Sequence, residues 1–143
     1  MCLIVDNNLA SDFFCGAVPG LLPLKNAVLD STCCLYYGGG LRREYFRSEK
    51  VKRMVRQLDQ AGRAKAVPDA QVDARMRAVA PRCVSDDPHV IALAQVSGAR
   101  LLCSLDLDLH KDFTNPQLIN APRGHVYQNA THEHLIRRHC RRC

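Results

Sequence analysis

An α/β fold is what this sequence of 143 residues predicts: a central, mostly parallel sheet covered by helices on both faces, a three-layer α/β/α sandwich. Three observations predict it. Short apolar runs recur along the chain, segments with helical apolar period separate them, and proline or glycine punctuates the junctions. Parallel strands need such helical crossovers, which bury the faces of the sheet.

The run CLIV at 2–5 reads as the first strand, followed by a helix near 8–15 and, after Pro19 and Gly20, a second helix near 20–30. CCLYY at 33–37 is the second strand. Gly38, Gly39 and Gly40 break the pattern before one long helix expected from about 41 to 60, closed by Gly62. AKAV at 64–67 makes a short strand, Pro68 leads into a helix near 69–79, and Pro81 ends it. Ser85, Asp86, Asp87 and Pro88 form a helix start, because oxygen side chains accept the free N–H groups of a first turn and proline suits the first helical position. That helix runs to Gly98. A strand RLLCS at 100–104, a loop with a short turn, a strand HVYQ at 125–128 and a last helix from about Thr131 complete the reading. No repeat, linker or low-complexity segment divides the chain, so residues 1–143 are read as one domain.

The net charge of +6, with a pI near 9.0, favours polyanionic partners. Nine lysines or arginines lie within 41–65 against three acids, and the tail RRHCRRC adds four arginines. A solvated helix face and a frayed basic end would look the same. No apolar run reaches bilayer length, and the opening MCLIVDNN lacks the charged start and long apolar stretch of a signal peptide. A cytoplasmic protein with no membrane partner is therefore expected. Its eight cysteines are then expected as free thiols, mostly buried, with Cys2 and Cys103 inside apolar runs and Cys33 beside Cys34. Cys140 and Cys143 form a CxxC near His132, His134 and His139, which invites a zinc or redox reading. Against it, the pair ends the sequence and no second CxxC exists. A chain of this length builds a core without such a staple, so chelators should leave it folded.

In open parallel sheets ligands bind beyond the carboxyl ends of the strands. Asp6 directly follows the first apolar run, and Asp106, with Asp108 behind it, follows RLLCS. Each alone is an ordinary turn or cap residue; their coincidence is informative. Glu44 falls on an inward stripe marked by Leu41, Ser48, Val51, Val55 and Leu58, and an inward carboxylate needs a donor, an arginine or a cation to face. Asp87 stands beside two other residues able to cap the same helix, one acid more than capping needs. Clustered carboxylates without soft ligands suit Mg²⁺ or Mn²⁺. His89 and His110 lie near these acids in sequence, although surface histidines are commoner.

Taken in order, MCLIVDNN, GGGLRREYFR and SDDPHVIALAQVSGARLLCSLDLDL resemble the PIN domain, a fold of metal-dependent ribonucleases that includes toxins of toxin–antitoxin pairs. Asp6 with Asn8, the inward Glu44, Asp87 opening an alanine-rich helix with Ala92 and Ala94, and Ser104 with Asp106 fall on its four motifs. The resemblance covers most of the chain, but not DFTNPQLI or the basic end. It implies hydrolysis of RNA phosphodiester bonds with Mg²⁺ or Mn²⁺ as cofactor. Asp6, Glu44, Asp87 and Asp106 would be the catalytic carboxylates. Asp6 and Asp106 are expected as direct ligands, with Glu44 and Asp87 acting through water or as a second ligand pair and Asp108 as a spare. Ser104 and Asn8 would orient carboxylates by hydrogen bonds. Arg42, Arg43 and Arg47, within a turn of Glu44, would hold flanking phosphates. RNA is the implied partner, with an antitoxin protein and a homodimer left open.

Two other classes compete. A phospho-accepting receiver domain expects two adjacent acids after the first strand and a lysine after a late one, whereas Asn7 follows Asp6 and Leu105 and Asp106 stand at the later place. A catalytically silent module that binds RNA or a protein is the stronger competitor, and metal binding discriminates it.

Overall fold

The computed structural model describes residues 2–143. Five strands, β1 (Leu3–Val5), β2 (Leu35–Gly38), β3 (Ala64–Val67), β4 (Leu101–Cys103) and β5 (His125–Tyr127), form one all-parallel sheet in the order β3-β2-β1-β4-β5. Leu3, Ile4 and Val5 are wholly buried, as are Leu101, Leu102 and Cys103, so the central strands are continuously apolar instead of alternating. Val5 stands opposite Cys103 in the register. The residues after these two strands are thereby brought side by side.

Eight α-helices accompany the sheet among the described residues: α1 (Asn7–Phe14), α2 (Leu22–Leu29), α3 (Gly39–Tyr45), α4 (Glu49–Gln60), α5 (Asp69–Val79), α6 (Pro88–Ser97), α7 (Leu107–Phe113) and α8 (His134–His139). The architecture is the three-layer α/β/α sandwich. Helix α1 packs with α2 and α4, α5 packs with α6, and α3 touches α1, α5 and α6. In α6 every position from Val90 to Ala94 is buried, because the helix lies between the sheet and α5. Among the described residues no helix is long and apolar enough to cross a membrane.

The chain leaves β1 for β2 and β3 on one side, then returns to place β4 and β5 on the other. Neighbouring connections therefore diverge at the carboxyl ends of β1 and β4. Such a divergence is the usual ligand position of open parallel sheets.

The single helix expected over 41–60 is two helices. Ser48, read as a member of the inward stripe, is an exposed cap whose hydroxyl accepts the Val51 N–H at 3.3 Å, and its extended backbone ends the continuity. The three glycines form no loop: Gly38 ends β2, and Gly39 begins α3 with φ +58°, held by its N–H on Asp69 at 2.8 Å. The short turn expected after β4 is helix α7. The last helix starts later than Thr131, after a 3₁₀ turn Ala130–His132 in which Asn129 accepts the Thr131 N–H.

The expectation of free thiols fails for four cysteines. Cys33 pairs with Cys140 and Cys34 with Cys143. After α8 the chain turns back along the amino end of β2, where the Cys34 N–H donates to the Arg141 carbonyl at 2.9 Å. Sequence separations of 107 and 109 hid this meeting, and it leaves neither CxxC sulfur free for zinc. Cys2 and Cys103 are free and buried as expected; Cys15 and Cys83 are also free. The Cys2 sulfur accepts the Cys34 and Arg141 N–H groups at 3.0 and 3.1 Å.

Candidate metal centre

Asp6 leaves β1 where the connections diverge and is only 4% exposed. Its N–H donates to the Cys103 carbonyl, which carries the sheet register one residue further. Ser104, leaving β4, donates its hydroxyl to Asp6 Oδ2 at 2.8 Å and accepts the Asp106 N–H at 3.0 Å. Burial raises the Asp6 pKa above the ordinary carboxylate value, and the charges of Asp106 and Glu44 raise it further. The Ser104 hydroxyl and the Asn8 backbone N–H act in the opposite direction. Asn8 was expected to orient a carboxylate; its side chain is exposed and contributes no hydrogen bond among the described residues, so only its backbone takes part.

Glu44 is placed by its neighbour. Tyr45 is fully buried and donates its hydroxyl to the Val5 carbonyl, pinning the end of α3 to the end of β1. Glu44 Oε1 then lies 2.5 Å from His89 Nε2. Asp87 occupies the cap position of α6, yet its side chain accepts no hydrogen bond from the first turn. Instead Glu44, Asp87 and His89 each offer a ligand atom, and these atoms lie within 4.8 Å of one another. The Asp87 pKa is raised, first by burial, then by the negative charges of Asp6, Glu44 and Asp106, with His89 opposing. The same four carboxylates thus act electrostatically on one another at one edge of the sheet.

Asp106 differs from Asp87 in being a working cap. Its Oδ1 accepts the Asp108 and Leu109 N–H groups at 3.0 and 3.2 Å, which commits one oxygen to α7. Asp108 stands apart from the expected ligand set: its exposed carboxylate lies 3.7 Å from Lys111 one turn along the same helix. Arg42 and Arg43 are also committed elsewhere. Arg42 forks onto Asp69 with its Nε 3.0 Å from both carboxylate oxygens, and Arg43 pairs with Asp73 one turn along α5. The Arg42 pairing lowers the Asp69 pKa and raises that of Arg42. These pairs brace α3 against α5. They occupy the guanidinium groups of which a phosphate role was expected, while Arg47 is exposed. Beside them, the Phe46 ring carries Arg42, Lys52 and Arg56 at 5.3, 5.7 and 5.4 Å.

One residue of this region escaped the sequence reading, and a second, His89, was weighed there as a surface group. Asp112, 2% exposed on α7, accepts the Val84 and Ser85 N–H groups at 3.0 and 2.9 Å, and Ser85 in turn accepts the Asp87 N–H at 3.3 Å. The segment DFTN, left outside the motifs, therefore positions the loop that carries Asp87. An acid between Leu109 and Phe113 on an inward helix face was its only signal. His89 lies two residues after Asp87, and its ring rests on α3: a Cβ added to Gly40 would sit 3.1–3.2 Å from it. His110 is turned away, its Nε2 donating to the Ser104 carbonyl at 2.6 Å.

Two carboxylates and an imidazole at ligand spacing, with the strongly buried Asp6 beside them, fit a divalent cation. The charges of Asp106 and Glu44 both oppose ionisation of Asp6, and a cation among them would relieve that repulsion. Compared with protein-family models, curated proteins and solved structures, the chain matches none.

Proposed function

We propose that this chain is a divalent-metal-dependent ribonuclease of the PIN type. The observation that carries the reading is the gathering of Asp6, Glu44, Asp87 and Asp106 around the divergence of β1 and β4, with two of them held at raised pKa by burial and mutual repulsion. Clustered acids of this kind are costly to the fold, and metal-assisted phosphodiester hydrolysis is a function that requires them.

The bound cation, Mg²⁺ or Mn²⁺, would supply Lewis acidity toward the attacked phosphate and leaving oxygen. Asp6 and Asp87 would hold it in place by charge. Ser104 fixes the rotamer of Asp6 through its hydroxyl, and Asp112 fixes the loop before Asp87. Arg47 and the cationic face of α4, with Lys52 and Arg56 over Phe46, meet the RNA backbone by salt-sensitive contacts that carry no sequence preference. An RNA substrate would put the protein in the cytoplasm, and the Cys33–Cys140 and Cys34–Cys143 disulfides run against that compartment, where the glutathione pool keeps most cysteines as thiols. Toxin of a toxin–antitoxin pair is the biological role most consistent with this chemistry.

A second reading has one observation in its favour. Glu44 already faces a protein partner, His89, and so does not itself demand a cation. In that reading the module binds RNA or protein and cuts nothing. The deciding assay is cleavage of mixed single-stranded and structured RNA, with Mg²⁺ or Mn²⁺ present or chelated, beside Asp6→Asn. Metal-dependent cutting that the variant loses by 100-fold or more, on the order of the ~10²–10⁴ scale of catalytic groups, supports the nuclease. Equal RNA binding by both proteins with no cleavage under any metal supports the silent module.

A further inference from the structure

We propose that His89 Nε2 is a direct metal ligand alongside Glu44 and Asp87, and that it gives this site a preference for Mn²⁺ and its first-row neighbours over Mg²⁺. The inference rests on the metal-site part of the reading above and goes beyond it by assigning a nitrogen ligand and an ion preference.

The geometry is specific. A ring nitrogen of His89, one Glu44 oxygen and one Asp87 oxygen lie within 4.8 Å of one another, and Nε2 is 2.5 Å from Glu44 Oε1, so the three donors are near enough to share one ion after small side-chain shifts. The imidazole is neither a loose surface group nor a core residue: its side chain is 17% exposed, and that of Glu44 is 24% exposed. Its ring is held from behind by α3, where Gly40 leaves room that any Cβ would fill. Helix α6 holds it from below, in the first turn after Pro88. Backbone on both sides therefore aims Nε2 at the carboxylates, and no rotamer search precedes binding. Nε2 faces the Glu44 carboxylate as a hydrogen-bond donor; a cation would take the place of that proton, with the ring carrying its proton on Nδ1 instead.

Ligand chemistry sets the consequence. Mg²⁺ is small, hard and attached to oxygen and water, and it gains little from an imidazole. First-row transition dications accept imidazole nitrogen readily, with Mn²⁺ the weakest binder of their series. A centre made of carboxylates alone discriminates poorly between Mg²⁺ and Mn²⁺; one nitrogen in the set separates them. The other histidine nearby, His110, bonds through Nε2 to the Ser104 carbonyl instead of to a carboxylate of the site.

The test uses the full chain, stripped with chelator and loaded with Mn²⁺ or Mg²⁺ as probes, without reference to RNA cleavage. Pulsed EPR on the Mn²⁺-loaded protein should show nitrogen hyperfine coupling, which changes on labelling with ¹⁵N-histidine. Calorimetric or competition titrations should give Mn²⁺ binding roughly tenfold or more tighter than Mg²⁺ binding. His89→Gln, which keeps the reach but offers a hard amide oxygen, should abolish the nitrogen coupling. It should weaken Mn²⁺ binding roughly 10–100-fold while Mg²⁺ binding changes little. Mn²⁺ bound without histidine coupling in the wild type, or an unchanged Mn²⁺/Mg²⁺ ratio in the variant, overturns the proposal. The wild-type spectrum decides the matter even if the variant misfolds. Coupling in a protein that cuts no RNA leaves this inference standing and removes the nuclease; cleavage with no coupling does the reverse. Failure to bind either ion removes both.

Discussion

Asp87 illustrates how a single residue can oppose the fold that carries it. Its folded-state pKa is raised by burial and by three neighbouring carboxylates, so protonation of Asp87 favours folding. That contribution is fully present below the ordinary carboxylate value and is lost as pH rises through the raised folded value. At neutral pH the charged group destabilises the cation-free protein. Asp87→Asn is therefore expected to be more stable than the wild type in chelator at pH 7, with the advantage fading as pH falls into the ordinary carboxylate range. Urea midpoints across that range measure it, and a variant less stable at pH 7 would mean that Asp87 has a structural partner after all. The position was legible in sequence because three residues competed for one cap. The absence of a side-chain cap bond on Asp87 agrees with that argument. His89 was weighed and set aside as a surface group. What aims it, the bare backbone of Gly40, lies 49 positions away and on another helix.

At the scale of elements, the apolar strands and the junction residues were readable because each rests on local signals of period, proline and cap. The interruption at 46–48 was not. Leu41, Val51, Val55 and Leu58 share an inward face, and a stripe that continues across a break imitates one long helix. Glu44 was assigned to the site from that stripe, although Tyr45 is the residue that anchors the turn. The pairing of Arg42 with Asp69 was equally hidden, since it depends on α3 meeting α5. The joint between α7 and the loop before α6 leads to a further expectation. Asp112→Ala leaves two N–H groups, of Val84 and Ser85, without their acceptor and should cost roughly 1–3 kcal/mol, or more because a charged acceptor is lost. The Asp87 loop should loosen with it, so Mn²⁺ affinity should fall in a variant whose urea midpoint still reports a folded protein. Lost stability with unchanged Mn²⁺ binding would confine Asp112 to a structural role.

Over the whole molecule, the two disulfides interleave, each with one end inside the loop that the other closes. Either bond alone closes a loop of more than 100 residues, and the other then closes only the few residues between the two pairs. Chain entropy values the first closure at roughly 4–5 kcal/mol and the second at roughly 2 kcal/mol as upper limits. Cys143→Ser should therefore cost no more than about 2 kcal/mol in the oxidised protein, whereas Cys140→Ser with Cys143→Ser should cost roughly 5–7 kcal/mol. Non-reducing urea titrations check the pair, and strictly additive losses would sink the shared-loop account. The same covalent map governs response to force. Held at Cys2 and Cys143 and pulled, the oxidised chain can release only the segment ahead of Cys34, roughly 110 Å of slack, because Cys34 is bonded to the point of traction. The reduced chain can release roughly 480 Å. Every carboxylate of the candidate centre except Asp6 lies in the sheltered portion, so a tethered molecule under tension would surrender β1 and Asp6 first and keep Glu44, Asp87 and Asp106 off the line of load.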